Sequence, residues 1–560
     1  MTDGFLGYST LYEALEDKAA LSPDRDALVF IGDDDSVSRV SYSSLLEKSR
    51  NFGGHLLENG VGPGEIAMLL LPHSLELIYG FLGGLSSGVV TTIYPYPAFS
   101  SDQSKSCGLI SKALRDIGAK ALVTSPGLQE EFSGSGCAVF SSGAGLPELV
   151  APAEPVYTTA DLDPEIAYLQ LTSGTTGSSK GVLLTHRNIL CFVESSIARK
   201  PWPYRRRLNW IPLYHTGALM GALVTSLLAG MTLVLMSPAR WLVRPLSVFK
   251  ALEKYRIEKT TLPNSGFVHA WKYVDDREVE NLDLSCLKSL LTAGEPAGAS
   301  IIEKFYDKFS RAGLKRSSFS NAYGQAEATA LISQSFTDDQ ITVDRIDADP
   351  FYSEGEARRV SAGFKGKTLS VVSCGRPVWG IRLKIVDDQG RELPERRSGE
   401  ILVQGEVVFA GYHRTPELTA ATLRDGWLHT GDMGYIAGGE LYVCDRKKDL
   451  IITGGKNVRP GDIEGLVYSG FGGCRLAAAL GIYDDEIGTE KVVLVCEWNR
   501  PPGPGEAIEI EKRARKLLYS GLSIGLDDFR IVEPGWIIRT TTRKISRKKT
   551  GDKYSLEFGL

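Results

Sequence analysis

The sequence lacks an excess of positive charge, clustered cysteines and a secretion signal. Its 63 basic and 68 acidic residues give a net charge of −5, so no overall positive field favours nucleic acid or an anionic membrane. The eight cysteines are scattered without a C-x-x-C pair, which argues against a zinc site or a disulfide framework and favours a reducing cytoplasm. The opening MTDGFLGYST has no basic segment followed by an apolar core, so a secretory signal is not expected.

One uncharged run is long enough to matter. The 20 residues from Gly217 to Met236 carry no charge, and that length could cross a bilayer. Gly221 and Gly230 interrupt the run, and GMTLVLM at 230–236 has the composition of a turn followed by a strand. We therefore expect a buried helix and then a buried strand, with no membrane span.

The length and the alternation of patterns predict an α/β protein of at least two domains. A chain of 560 residues is too long for one compact core. Helical patterns alternate with short apolar runs, which indicates a largely parallel sheet covered by helices. The helical patterns cover 11–20, 42–60 and 76–88, and the apolar runs cover 65–72 and 89–95.

The pattern changes at about Gly375. Short strand-like segments follow, and 378–395 is typical of a hairpin that turns at Asp388–Gly390. The charged run DRKKD at 445–449 separates this short-stranded β subdomain from a smaller α+β unit. We therefore predict domains at 1–445 and 446–560, and interpret the Gly/Pro-rich segment 499–506 as a surface loop of the second domain.

The sharpest local motif is TSGTTGSSKG at 172–181, which follows a strand-like segment and precedes the helical pattern 185–198. Glycines and hydroxyls let backbone N–H and side-chain O–H groups converge on phosphate oxygens, and Lys180 adds a positive charge. The motif is not a Walker A loop, because Gly174 is followed by TTGSSKG. The alternative interpretation is a solvated Gly/Ser turn.

This loop resembles the first signature of the adenylate-forming superfamily, which includes acyl-CoA synthetases, fatty acyl-AMP ligases, luciferases and the adenylation domains of peptide synthetases. It differs in having Ser179 where the family usually has proline. The resemblance covers nearly the whole chain, because further motifs follow in the family's order. It implies that the loop binds ATP, that Thr175 and Lys180 act in catalysis, and that the ATP contacts are Thr172, Ser173, Gly174, Thr175, Thr176, Gly177 and Lys180.

Four later motifs imply the rest of the nucleotide site. TAGEPA at 292–297 is similar to a loop near the adenine, and NAYGQAEATA at 321–330 is similar to the segment that holds the base and the metal. In HTGD at 429–432 and DRKKD, the matching residues contact the ribose. By resemblance, the nucleotide contacts are Gly294, Glu295, Pro296, Ala322, Tyr323, Gly324, Asp432 and Arg446, and the Mg²⁺ ligand is Glu327.

The acyl pocket is implied by WIPLYHTGALMG at 210–221, where His215 matches a gating histidine, and by LPNSGF at 262–267. A core histidine is the alternative for His215, and Thr216 stands where fatty acyl-AMP ligases usually carry aspartate. The implied acyl-pocket residues are His215, Gly217, Asn264 and Phe267.

The second domain resembles the rotating domain of the superfamily, so mobility is expected. Lys448 matches the hinge, and GGKNVRPGDIE at 454–464 is similar to a loop that lines the thiol tunnel. Lys544 matches the catalytic lysine, although Arg543 precedes it where the family normally has glycine. A surface lysine and a solvated basic run are the alternatives for these two lysines.

Within the superfamily, three features resemble the fatty acyl-AMP ligases. They are Ala326 in the metal motif, a long spacer that is similar to the ligase-type insertion at about 335–372, and the segments LPNSGF and YPYP. The resemblance implies ATP- and Mg²⁺-dependent activation of a fatty acid to acyl-AMP. The acyl group would then pass to the phosphopantetheine thiol of an acyl carrier protein in lipid, polyketide or peptide biosynthesis. An acyl-CoA synthetase, an amino-acid adenylation domain and a catalytically weak nucleotide-binding scaffold stay open.

Overall fold

The protein is described here as a computed structural model. The described residues are 4–97, 103–142, 147–151, 162–172, 180–197, 204–335, 341–446, 449–453, 456–484, 489–498, 500, 502–522, 524–540 and 544–558. No helix within these ranges combines the length and the apolar character that a membrane span requires.

The first part of the chain alternates helices and strands, as the sequence predicts. Its helices are α1 Leu11–Leu21, α2 Tyr42–Glu58, α3 Leu75–Ser87, α4 Gln103–Ile117, α5 His186–Ile197, α6 Thr216–Ala218 and α7 Thr225–Leu228. Its strands are β1 Asp26–Ile31, β2 Val37–Ser41, β3 Ile66–Leu70, β4 Val90–Ile93, β5 Ala121–Thr124, β6 Ala138–Ser141, β7 Glu148–Ala151, β8 Ile166–Thr172, β9 Lys180–Thr185, β10 Arg206–Asn209 and β11 Thr232–Met236.

The middle part ends in short strands. Its helices are α8 Pro238–Val243, α9 Leu246–Lys254, α10 Asn264–Tyr273, α11 Asp276–Glu280, α12 Ala299–Phe309, α13 Ala348–Glu354 and α14 Pro416–Thr422. Its strands are β12 Lys259–Thr261, β13 Ser289–Thr292, β14 Phe319–Tyr323, β15 Ser333–Gln334, β16 Val343–Asp347, β17 Thr368–Val372, β18 Arg376–Pro377, β19 Arg382–Val386, β20 Gly399–Gln404, β21 Gly411–Tyr412, β22 Leu423–Arg424, β23 Trp427–Ala437 and β24 Glu440–Arg446.

The last part is smaller and mixes strands with three helices. The strands are β25 Ile451–Thr453, β26 Lys456–Val458, β27 Cys474–Asp484, β28 Thr489–Trp498 and β29 Asp528–Val532, and the helices are α15 Pro460–Gly470, α16 Pro504–Leu522 and α17 Arg547–Phe558. Among the described residues, β27, β28 and β29 form one sheet, in which β28 pairs antiparallel with β27 and parallel with β29.

Two large sheets organise the first 446 residues, and their central strands are parallel. In the described residues one sheet has the order β18-β15-β14-β13-β12-β10-β11-β1-β2 and the other β21-β9-β8-β4-β3-β5-β6-β7. The strands from β14 to β1 run parallel, with antiparallel strands at both edges. Their carboxyl ends lead directly into the segments 210–221, 262–267, 293–297 and 324–330, and ligands of α/β sheets bind at such ends.

The run from Gly217 to Met236 is a buried helix followed by a buried strand, as expected. α6, a π-helical segment at Leu219–Val224 and α7 form one continuous helix before β11. Leu219, Leu223 and Leu227 are at most 1% exposed. The absence of charge therefore reflects burial in the protein core.

Two local predictions are confirmed. The helical pattern at 185–198 forms α5, His186–Ile197, and it is preceded by strand β9, which pairs antiparallel with β8. Burial of Val182 and Leu184 explains the strand. The turn at 387–390 forms, with the Gly390 N–H donating to the Asp387 carbonyl at 3.0 Å. The residues after the turn pair back onto β19, through an antiparallel bridge between Val386 and Glu392, so the predicted hairpin forms. β19 also pairs antiparallel with β20.

The segment between β16 and β17 packs against the last part of the chain. One apolar cluster contains residues from both regions: Ile346, Ala348, Phe351, Tyr352, Leu369 and Val371 from the first, and Ile451, Val458, Ile463 and Val467 from the second. The Tyr352 hydroxyl donates to Asp462 Oδ2 at 2.6 Å, and Asp462 also pairs with Arg459 at 2.6 Å. The Arg459 guanidinium lies over the Phe351 ring, 5.5 Å from its centroid.

Candidate active site

One cleft of about 3080 Å³ lies at the carboxyl ends of β10, β12, β13 and β14. Residues of the last part of the chain also line it. The predicted residues that line it are Thr172, Lys180, His215, Gly217, Asn264, Gly294, Glu295, Pro296, Ala322, Tyr323, Gly324, Glu327, Asp432, Arg446 and Lys544. Segments more than 300 residues apart in sequence therefore meet at one site.

Tyr323, Asp432 and Arg446 form one hydrogen-bonded group. The Tyr323 hydroxyl donates to Asp432 Oδ2 at 2.6 Å, and Arg446 Nε lies 3.2 Å from Asp432 Oδ1. β23 and β24 place Asp432 and Arg446 opposite each other in register. Burial raises the pKa of Asp432, and Arg446 and the Tyr323 hydrogen bond oppose that rise. The arrangement holds an acceptor carboxylate at the mouth of β14, where it can accept hydrogen bonds from vicinal hydroxyls.

Glu327 lies on a short 3-10 turn, Ala326–Ala328, directly after β14. Its Oε1 accepts a hydrogen bond of 2.7 Å from the Tyr412 hydroxyl, and the Lys180 ammonium lies 5.0 Å from the centroid of the Tyr412 ring. The pairing of β21 with β9 brings Tyr412 to this position. Tyr412 is a residue of the site that the sequence reasoning missed, because no spacing relates it to Glu327.

The Glu327 carboxylate could bind a hard cation whose other ligands come mostly from the substrate. In the described parts of the chain, no group of three or more His, Cys, Asp or Glu residues could enclose a metal ion. Mg²⁺ is typically held by one or two carboxylates together with substrate phosphates, and not by a complete protein cage. Glu327 suits that role because Tyr412 bonds only one of its two carboxylate oxygens within the described residues.

Gly324 is required by a close approach of two backbones. A Cβ at this position would lie 1.8 Å from the carbonyl oxygen of Ala330. The turn that follows is fixed by Thr329, whose φ is +61° and whose hydroxyl donates to the Val407 carbonyl at 2.7 Å. The tight turn sets the position of Glu327 relative to Tyr323.

Lys544 lines the cleft, and two hydrogen bonds join its backbone to Thr540. The Thr540 N–H donates to the Lys544 carbonyl at 2.7 Å, and the Lys544 N–H donates to Thr540 Oγ1 at 3.2 Å. Desolvation and then Arg446 lower the pKa of Lys544, whereas Glu295 and Asp432 raise it. The charged groups that influence the Lys544 ammonium therefore come from three separate sequence motifs.

His215 lines the same cleft and directly precedes α6. Its ring lies 4.6 Å from that of Tyr214, measured between centroids, and its carbonyl accepts the Ala218 N–H at the start of α6. Burial, with a smaller contribution from Lys544, lowers the pKa of His215 to about 4. The imidazole is therefore neutral at pH 7.

The loop 293–297 is held against α10. The Ser265 N–H donates to Glu295 Oε2 at 2.9 Å, and the Gly298 N–H donates to Asn264 Oδ1 at 2.9 Å. Asn264 and Glu295 therefore fix this wall of the cleft through backbone contacts.

The prediction that Phe267 lines the acyl pocket is wrong. Phe267 is fully buried in an aromatic cluster, with its ring 4.8 Å from that of Phe305. Gly266, Val268 and His269 line the cleft instead. Because α10 begins at Asn264, the helical period turns Phe267 towards the core. Ser173, Gly174, Thr175, Thr176, Gly177 and Lys448 lie outside the described residues.

Comparison with known proteins agrees with this site. A model of the AMP-binding enzyme family matches residues 15–413. The chain is 30% identical over 536 residues to a 4-hydroxyphenylalkanoate adenylyltransferase of Mycobacterium tuberculosis, covering 88% of this chain and 82% of that protein. It is 29% identical over 592 residues to the probable long-chain-fatty-acid--AMP ligase FadD30 of the same species, covering 97% and 98%.

A third relative is the medium-chain-fatty-acid--[acyl-carrier-protein] ligase JamA of Moorena producens, which is 27% identical over 568 residues. The match covers 98% of this chain and 95% of that protein. Among solved structures, a chain described in studies of fatty acyl-adenylate ligases from E. coli and L. pneumophila superposes with a TM-score of 0.88 at 23% identity. The match covers 99% of both chains, so the two share a fold from end to end.

Proposed function

Because this chain belongs to the AMP-binding enzyme family, we propose that it is a fatty acyl-AMP ligase, which activates a carboxylic acid with ATP and passes the acyl group to a carrier-protein thiol. The observation that carries the proposal is the meeting of Lys544 with Tyr323, Asp432 and Glu327 in one cleft. The first two relatives bear the names of acid-adenylating enzymes.

In the first step a carboxylate oxygen of the acid attacks the α-phosphorus of ATP. The bond from that phosphorus to the bridging oxygen breaks, and pyrophosphate leaves with the electron pair. Lys544 would bridge the acid carboxylate and the α-phosphate, and would stabilise the negative charge that accumulates between two anions. Asp432 would hold the ribose hydroxyls and Tyr323 would lie against the adenine.

The triphosphate carries most of the charge that the site must balance. Lys180 and the backbone of the loop that begins at Thr172 would bind the phosphates, with Thr175 and the glycines of that loop as the proposed contacts. Mg²⁺ held by Glu327 would supply further positive charge to the phosphate oxygens. His215 is neutral at pH 7, so it would shape the entry to the acyl pocket without attracting the carboxylate.

In the second step a thiol sulfur attacks the acyl carbon, the bond to the phosphate oxygen breaks, and AMP leaves. We propose the phosphopantetheine arm of an acyl carrier protein as the thiol donor. The name of JamA, a ligase for an acyl-carrier protein, supports this acceptor. Lys448 is the proposed hinge, and the loop at 454–464 is the proposed lining of the thiol path after the second domain turns.

The domain limits 1–445 and 446–560 and the ligase-type insertion at 335–372 belong to the same proposal. The cluster that joins α13 to α15 supports an insertion that contacts the second domain. A cytoplasmic location is also proposed, because all eight cysteines are free thiols and a reducing compartment maintains them.

The test is product analysis with both thiol acceptors. The purified protein is incubated with ATP, Mg²⁺ and a panel of acids, either with excess coenzyme A or with a phosphopantetheinylated carrier protein, and the products are identified by mass spectrometry. We expect acyl-AMP to accumulate, little acyl-CoA and efficient loading of the carrier. Efficient acyl-CoA formation would identify a CoA synthetase, and ATP binding without pyrophosphate exchange on any acid would identify a scaffold.

A further inference from the structure

Two cations lie side by side on the floor of the cleft, away from the nucleotide residues. Arg207 on β10 and Lys259 on β12 are register partners in adjacent parallel strands. They are only 4% and 6% exposed, yet both line the cleft. Neither takes part in the reaction described above, and each lies two residues before its strand's carboxyl end, roughly 7 Å deeper than the residues at the mouth.

Arg207 is only partly satisfied by the protein. One terminal nitrogen donates to the Gly221 carbonyl, and the other donates to Thr261 Oγ1 at 3.2 Å. Its Nε is buried and finds no hydrogen-bond partner within the described residues. Burial lowers the pKa of Arg207 to about 10. The guanidinium therefore presents an unused N–H, and its hydrogen bonds to described residues are made to neutral oxygens.

Lys259 adds a second positive charge at the same depth. Its ammonium lies 5.0 Å from the centroid of the Tyr204 ring. Burial and the neighbouring Arg207 lower the pKa of Lys259 to about 7. Two buried cations that disfavour each other's charge would both be stabilised by one anion placed between them.

The helix that contains α6 and the π-helical segment does not block access to Arg207 and Lys259. Gly217 and Gly221, one on α6 and one in the π-helical segment, both line the cleft. A Cβ at either position would meet no atom within 4 Å. The cleft in this region is also lined by Phe192 and Leu291 and by Ser196, whose buried hydroxyl has no partner within the described residues. An acyl chain can therefore pass apolar walls and end among polar groups.

We propose that the acyl pocket ends in a receptor for a second carboxylate, so that the acid activated by this enzyme is a dicarboxylic acid. This inference rests on the proposed function, since it names the substrate class of that reaction. One carboxyl group would lie beside Lys544 and react. The other would accept a hydrogen bond from the Arg207 Nε–H and would be attracted by the positive charge of Lys259. A methyl end would leave the buried guanidinium nitrogen without a partner, which is unfavourable.

The test compares acids that differ only in charge at the far end. Pyrophosphate exchange is measured for α,ω-dicarboxylic acids of four to ten carbons, for their monomethyl esters and for monocarboxylic acids of the same length. For the best diacid we expect kcat/KM to exceed that of its monomethyl ester by about 10- to 100-fold, as for a charge-assisted hydrogen bond. That comparison needs only the wild-type protein.

Variants then assign the preference to Arg207. Arg207→Met should reduce the ratio of diacid to monomethyl ester to about 3-fold or less, and Arg206→Met, a change at the exposed neighbouring arginine, should keep the wild-type ratio. Wild-type exchange with monocarboxylic acids but not with diacids would overturn this inference and leave the proposed function standing. Exchange with no acid would overturn both, and an unchanged ratio in Arg207→Met would overturn the role of Arg207.

Discussion

Replacing Lys544 by methionine tests the first half-reaction most directly, because the change removes the ammonium and keeps a similar length. Arg446 is close enough to lower the pKa of Lys544, but its guanidinium is already held 3.2 Å from Asp432. The loss of one well-placed charge from a transition state typically costs about 3–4 kcal/mol, or roughly 10²–10³ in rate. We therefore expect pyrophosphate exchange to fall by that factor.

The assay separates the two steps. Exchange of labelled pyrophosphate into ATP reports adenylate formation, whereas supplied acyl-adenylate with a carrier-protein thiol reports transfer alone. Lys544→Met should lose exchange and keep part of the transfer activity. Lys549→Met, a change at an exposed lysine on the same basic segment, is the control and should behave as wild type. Exchange at near the wild-type rate in Lys544→Met would refute the role given to this lysine.

The same residue predicts a pH dependence. The pKa of Lys544 is lowered in the folded protein, so its ammonium is lost at a lower pH than that of a free lysine, near 10.4. Adenylate formation should therefore decline on the alkaline side at a lower pH than the titration of a free lysine would give, as the active cation deprotonates. The small residual rate of Lys544→Met should lack this alkaline decline. If the variant's rate declined at the same pH as the wild-type rate, the decline would belong to another group.

Three further changes test neighbouring contacts. Tyr412→Phe removes the hydrogen bond to Glu327, worth about 1.5–3 kcal/mol for a charged acceptor. It should raise the Mg²⁺ concentration for half-maximal exchange and leave the KM for the acid unchanged. An unchanged Mg²⁺ titration would contradict this role of Tyr412. Tyr352→Phe removes the bond to Asp462 and should speed hydrogen exchange in α13 by about 10-fold or more, against unchanged exchange in α2. Gly324→Ala should lower the thermal unfolding midpoint, since the added Cβ meets a backbone carbonyl; a wild-type midpoint would show that the turn can relax.

Much of the site was predictable because the motifs carry position as well as chemistry. Tyr323 lies more than 100 residues before Asp432 and Arg446, and the resemblance to the adenylate-forming superfamily predicted that the three share a ligand. The structure brings them into one hydrogen-bonded group. The helix and strand alternation of the first 95 residues was equally legible, because the change from a 3.6-residue to a 2-residue period is a local signal.

The remainder depended on tertiary packing that no local pattern records. The resemblance of LPNSGF to an acyl-pocket segment predicted that Phe267 lines the pocket, but α10 begins at Asn264 and directs the ring into the core. Tyr412 was missed because a strand pairing between distant segments places it beside Glu327. The polar floor at Arg207 was missed for the same reason, since its partner lies on a strand 52 residues away.

The apolar cluster shared by α13 and α15 has a consequence for dissecting the protein. Phe351 and Tyr352 are 7% and 1% exposed, and the last part of the chain contributes to their burial. A polypeptide that ended at residue 445 would present these two aromatic rings to water as part of a continuous apolar patch, and such patches promote association. The last part of the chain therefore covers an apolar surface of the preceding part as well as carrying Lys544. Separately expressed halves should recover their properties when mixed, and the N-terminal half alone should aggregate.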